Sequence, residues 1–255
     1  MLASPPPPAA AARAQHTLQV FAAASLADAF SELGRLLEAG HPGLEVRFNF
    51  AGSQQLATQL GEGAAADVFA SADERWMEAV REQGLLASEP VIFARNELVV
   101  IVPRRNPGQI ASLADLARRG VKLVLAAETV PAGRYARAAL AKLSREPALG
   151  PEFATRVLRN AVSEEENVKA VVGKVQLGEA DAGIVYRSDV SPAVARVVTR
   201  IPIPPDANVV ALYPIALLRG GHGGAVARAF VELALSPRGQ QVLEQRGLMR
   251  AATGR

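Results

Sequence analysis

The sequence predicts an α/β protein built as two lobes, each a mostly parallel sheet flanked by helices. Three observations carry that expectation. Strand-like and helix-like segments alternate along most of the 255 residues, the pattern of βαβ units. The chain is 49% hydrophobic and 21% charged, enough apolar material for one large core or two moderate ones. The number of strand–helix units is roughly twice what one compact sheet takes at this length.

The elements follow in order. "TLQVFAA" (17–23) is an apolar run of strand length, and "LADAFSELGRLLEAG" (26–40) places Leu26, Ala29, Phe30, Leu33, Leu36 and Leu37 on one helical face, closed by Gly40 and Pro42. "EVRFNFA" (45–51) alternates as a strand, "SQQLATQLGEG" (53–63) reads as a short helix, "ADVFASAD" (66–73) as a strand, and "ERWMEAVREQG" (74–84) as a helix. "NELVVIVPRRNPG" (96–108) is a long strand ending in a turn. After it come a helix (113–120), a strand (121–127), two helices (133–146 and 152–162), a helix (166–180), two strands (182–190 and 194–204), a strand (209–220) and two closing helices (225–236 and 237–247).

This organisation divides the chain into a Pro/Ala tail or signal-peptide remnant (1–16), a first lobe from residues 17–95 plus 209–255, and a second lobe from residues 96–208. The tail holds Ala12-Arg13-Ala14, a signal-peptidase-like site. Crossing strands at 96–102 and 209–217 join the lobes.

Composition excludes several function classes. The net charge of +3 comes from scattered arginines, without the clustered patch that a nucleic-acid partner needs. With no cysteine there are no disulfides, thiolate nucleophiles or Fe–S clusters, and no apolar run approaches the ~18 residues of a membrane span. His16, His41 and His222 lack metal-ligand spacing. No nucleophile elbow, Walker A loop or complete G-x-G-x-x-G occurs, and "GGHGGA" (220–225) breaks the last pattern. Asp67 and Asp73 are the one carboxylate pair worth weighing, and both read more simply as turn caps. The expectation is a protein that is not an enzyme and carries no cofactor.

Open α/β sheets bind ligands where strands end and helices begin. Four junctions stand out. Ser25 with Asp28 resembles a capping box, and Ser53 after Gly52 reads as a helix N-cap. Pro131, Ala132 and Gly133 lead into a helix. "SEEEN" pairs Ser163 with Glu166 as a capping box, leaving the helix start open between Glu164 and Asn167–Val168. Each junction presents free N–H groups at the positive end of a helix, which together make an anion site. Tyr186 ends a buried strand with its hydroxyl at the rim.

"FAAASLADAF", "FNFAGSQQLATQL", "ADVFASADERWM", "VPAGRYARAAL" and "GEADAGIVYRSDV" occur in an order and spacing that resemble the periplasmic molybdate-binding proteins of bacterial ABC importers, from about residue 17 to 248. The resemblance implies the two-lobed type II periplasmic binding fold, with an oxyanion, molybdate or tungstate, held in the cleft. It implies hydroxyl and N–H donors from Ser25 and Ser53, backbone N–H groups from Ala132 and Val168, and the Tyr186 hydroxyl, with no direct metal coordination. It further implies a monomer in the periplasm that serves a permease and ATPase and meets the membrane only through the permease.

Neutral donors suit this task. A tetrahedral dianion offers only acceptors, so rigid O–H and N–H dipoles saturate it without a counter-charge. A site lacking a carboxylate disfavours monohydrogen phosphate, whose O–H goes unpaired; sulfate is refused by size. Gln54 stands where many relatives have a second serine, and Glu166 and Asp189 resemble a tungstate-binding branch in which carboxylates complete the metal's coordination. The alternatives are a sulfate or other oxyanion binder of the same fold, or a two-lobed α/β enzyme or ligand sensor.

Overall fold

The computed structural model describes residues 16–251; the Ala12-Arg13-Ala14 site lies outside them. The strands are β1 (His16–Ala23), β2 (Leu44–Ala51), β3 (Val68–Ala70), β4 (Val91–Asn96), β5 (Leu98–Pro103), β6 (Leu123–Ala126), β7 (Ala161–Glu165), β8 (Ala182–Tyr186), β9 (Val198–Pro202), β10 (Ala211–Leu217) and β11 (Met249–Arg250). The helices are α1 (Ala27–Gly40), α2 (Ser53–Gly61), α3 (Glu74–Glu82), α4 (Pro131–Leu143), α5 (Phe153–Leu158), α6 (Val168–Leu177), α7 (Gly224–Leu235) and α8 (Pro237–Gln245).

Two sheets form, ordered β11-β4-β10-β3-β1-β2 and β7-β6-β8-β5-β9. Both are mixed, which corrects the expectation of mostly parallel sheets. The βα alternation does give parallel pairs, β1 with β2 and β3, and β6 with β7 and β8. The strands beside the crossings run antiparallel: β10 with β3 and β4, and β5 with β8 and β9. A chain that leaves one sheet and later returns enters its neighbours from the opposite end, a long-range property to which local alternation is blind.

The first sheet is covered on both faces. Along β1, Leu18, Val20 and Ala22 belong to one core with Phe30 of α1 and Phe230 of α7, whose rings meet edge to face at 5.2 Å. Phe21 points to the other face, where Leu56 and Leu60 of α2 and Met77 and Val80 of α3 pack with Phe69. This period-two division is what a strand buried on both sides requires. On the second sheet, α6 packs so closely that a Cβ on Gly183 of β8 would lie 2.9 Å from Val171 and 3.0 Å from Val175.

The predicted strand at 96–108 is β5, shortened to Leu98–Pro103, and a strand that was not predicted, β4 at Val91–Asn96, runs straight into it. β4 ends in the first sheet at Asn96 and β5 begins in the second at Leu98, so the crossing is a single residue, Glu97. The return passes through Asn208, which is buried. Its Oδ1 accepts from Leu98 N at 3.0 Å and its Nδ2 donates to Leu98 O at 2.9 Å. One side chain thus satisfies both backbone groups of the first residue across the boundary.

Several predicted spans shorten. Residues 113–117 and 194–196 are single 3₁₀ turns, and β8 gives way at Arg187–Asp189 to another. Among the described residues, no helix is long and apolar enough to cross a membrane, and no group of histidines and acids is placed to hold a metal ion.

A donor-lined cavity between the lobes

Ser25, Ser53, Ala132, Val168 and Tyr186 all line one small cavity between the two sheets. It is far smaller than an organic-ligand pocket. No aspartate, glutamate, lysine or arginine lines it.

Each wall is set by local chemistry. Ser25 sits not at a helix cap but inside a 3₁₀ turn, Ala24–Leu26, between β1 and α1. No side chain caps α1, so the Ser25–Asp28 capping box does not form. The tighter turn carries the serine inward, where its Oγ lies 2.9 Å from the Tyr213 hydroxyl. At α2 the N-cap is Gly52, whose N–H donates to Gln55 Oε1 at 3.0 Å, and Ser53 is the first helical residue rather than the cap. Its Oγ accepts from Ala72 N at 3.0 Å. A hydroxyl that accepts from inside has its own proton free to turn toward the cavity.

The second lobe contributes backbone. In α4, Pro131 occupies the first position, where its missing N–H costs nothing, and Ala132 follows with a first-turn N–H that has no acceptor within the helix. Gly133 is obligatory: a Cβ there would lie 2.1 Å from Ala127 O and 2.2 Å from Ala126 O. In α6 the N-cap is Asn167, which accepts from Ala170 N at 3.1 Å. The helix therefore starts at Val168. Ser163 is in β7 and pairs with Glu165, so the Ser163–Glu166 box is absent.

Tyr186 completes the wall. It is 1% exposed, and its hydroxyl has no hydrogen-bond partner in the protein. Burial pushes its pKa well above the ordinary value, with nearby Tyr213 adding to the shift, so it stays a protonated donor at neutral pH. A buried hydroxyl without a partner costs about 1–3 kcal/mol unless something in the cavity accepts from it.

Both carboxylates weighed from the sequence stand outside the cavity. Asp189 is fully buried, accepts from Tyr186 N at 3.0 Å and faces Lys169 at 3.6 Å. Burial raises its pKa to about 6, against the lowering effect of Lys169. Glu166 Oε2 accepts from Gln55 at 3.0 Å and its backbone carbonyl from Gln54 Nε2 at 2.7 Å. Gln54 thus spans the cleft rather than facing the cavity. Asp67 and Asp73 are structural: Asp67 accepts from Gln19 N and Gly223 N, and Asp73 caps α3 through Trp76 N.

Further contacts hold the cleft shut. Arg134 of α4 reaches the buried Asp73 at 2.8 Å, the Trp76 indole N–H donates to Thr129 O at 2.9 Å, and Lys169 lies 3.3 Å from Asp28. Sequence reasoning missed these, along with Tyr213 and Asn96. A tyrosine inside the apolar run "VVALYPIALL" was the available signal for Tyr213.

The model of the family described as "Bacterial extracellular solute-binding protein" matches residues 18–249. The chain belongs to this family. It is similar to the molybdate-binding protein ModA of Mycobacterium tuberculosis, at 44% identity over 231 residues that make up 91% of this chain and 84% of the relative. Among solved structures it resembles the periplasmic molybdate-binding protein of Azotobacter vinelandii, with TM-score 0.79 and 20% identity over 92% of this chain and 99% of that one. It also resembles the sulfate-binding protein SubI of M. tuberculosis, with TM-score 0.81 and 17% identity over 93% and 88%. At those identities the two structures speak to the fold alone. The family is one of solute-binding proteins, not enzymes.

Proposed function

We propose that this solute-binding protein binds molybdate, and tungstate with it, and delivers the anion to the permease and ATPase of an ABC importer, acting as a monomer in the periplasm. The observation that carries the reading is the cavity wall: two hydroxyls already accepting or able to accept from inside, one hydroxyl without a partner, two first-turn amides and no charged side chain. Such a wall suits a small ion whose surface is all acceptor. Ser25, Ser53 and Tyr186 would donate O–H, and Ala132 and Val168 N–H. The 44% identical molybdate-binding relative selects molybdate among tetrahedral dianions. The sulfate alternative rests on likeness of fold, which 17% identity leaves weaker.

The lobes divide at residues 96 and 209, and closure turns them about Glu97 and Asn208. Ligand contacts from both lobes favour the closed arrangement. Calorimetric titration with molybdate, tungstate, sulfate and phosphate tests the reading. Heat with the first two and none with the last two is expected; silence toward all four refutes it.

A further inference from the structure

Behind Ser25 lies a buried polar chain whose other members do not line the cavity. Asn96, Tyr213, Ser25 and Ser188 are each no more than 4% exposed. Asn96 Oδ1 accepts from Glu97 N at 3.0 Å, which fixes the amide's orientation, since the flipped form would set NH₂ against N–H. Its Nδ2 therefore faces the interior, 2.8 Å from Ser188 Oγ and 3.2 Å from the Tyr213 hydroxyl. An amide nitrogen only donates.

The direction of the next bond follows. Tyr213 OH accepts from Asn96, and Ser25 Oγ is 2.9 Å away. Were Ser25 the donor, the phenol oxygen would accept twice and its own buried proton could turn only to neighbouring Tyr186, whose hydroxyl makes no hydrogen bond, a costly arrangement. With Tyr213 as donor, its buried proton is placed on Ser25 Oγ. Ser25 then accepts from behind and its single proton turns to the cavity. We infer that Asn96 and Tyr213 are positioning residues that lock Ser25 as a donor, so that this wall of the cavity rejects any oxyanion bearing a proton. The inference rests on the oxyanion reading above and adds to it how refusal of protonated anions is built.

The test is a set of titrations with molybdate, which carries no proton at neutral pH, and arsenate, which carries one. Tyr213→Phe leaves Ser25 free to turn round and accept. Molybdate affinity should fall about ten-fold, as one aligned bond to an anion is lost. Arsenate should gain or hold, narrowing the preference by about ten-fold or more. Asn96→Asp, which replaces the terminal donor by an acceptor and reverses the chain, should narrow it likewise and serves if the first variant does not fold. In a Ser25→Ala background, Tyr213→Phe should add nothing. Equal losses for both anions, an unchanged preference in both variants, or additivity with Ser25→Ala would overturn the inference. Wild-type protein that ignores molybdate would instead overturn the oxyanion reading itself.

Discussion

The two walls of the cavity donate by different chemistry. The first lobe presents side-chain hydroxyls, Ser25 and Ser53, each in contact with an internal group behind it, Tyr213 and Ala72 N–H. The second presents backbone amides, at Ala132 and Val168, whose direction comes from the start of a helix. Its one hydroxyl, Tyr186, has no partner behind it. One wall is therefore encoded in the residues that face the ligand. The other is encoded in neighbours that never meet it: Pro131 and Gly133 for α4, Asn167 for α6. Sensitivity to substitution should divide along the same line.

The largest effect should come from a residue with no donor of its own. Gly133→Ala forces a Cβ into two carbonyls of the strand exit, so α4 must shift. Thermal or denaturant unfolding should show a loss of about 3 kcal/mol or more, with molybdate binding abolished; a variant that binds normally would break the claim that this wall is set by the helix start.

The second lobe also carries a pH term. The folded-state pKa of Asp189 is raised, from 3.8 to about 6, chiefly by burial. The native state thus holds a proton that the unfolded chain has released, and stability should fall as pH rises between about 4 and 6, by up to about 3 kcal/mol. Denaturant unfolding of wild type and Asp189→Asn across that window isolates the effect, since the asparagine retains an acceptor for Tyr186 N but cannot ionise. Parallel pH curves would refute it.

On the first wall, Ser53→Ala removes a donor and orphans the Ala72 amide, and calorimetry should show binding weaker by about 2 kcal/mol. The smallest effect sharpens the contrast. Val168→Ala alters the side chain but keeps the amide, so molybdate affinity should stay within about two-fold while the fold loses about 1 kcal/mol of packing; a large affinity loss would mean the valine side chain, not its N–H, matters.

Much of this was legible in the sequence because it is local. Strand–helix alternation gave the two sheets, and "FAAAS", "FAGS", "VPAG", "ENVK" and "GIVY" mark junctions that fold into one cavity. What escaped was set at a distance. Ser25 looks like a cap to its neighbours but bonds a tyrosine 188 residues away. Gly52 took the cap position at α2, moving Ser53 one place inward. β4 went unread because residues 91–96 run into β5 with only Glu97 and no turn signal between them, and the antiparallel pairs depend on where the chain returns. Local propensity contains none of these facts.

Trp76 offers a last consequence. It is the only tryptophan in the chain, half-buried, with its indole N–H bonded across the cleft to Thr129 and Arg75 lying 5.2 Å over its ring. Separation of the lobes must break that bond and hydrate the indole. The protein therefore contains its own optical gauge: intrinsic fluorescence, with no label attached, reads the cleft angle in real time and turns closure into a stopped-flow signal.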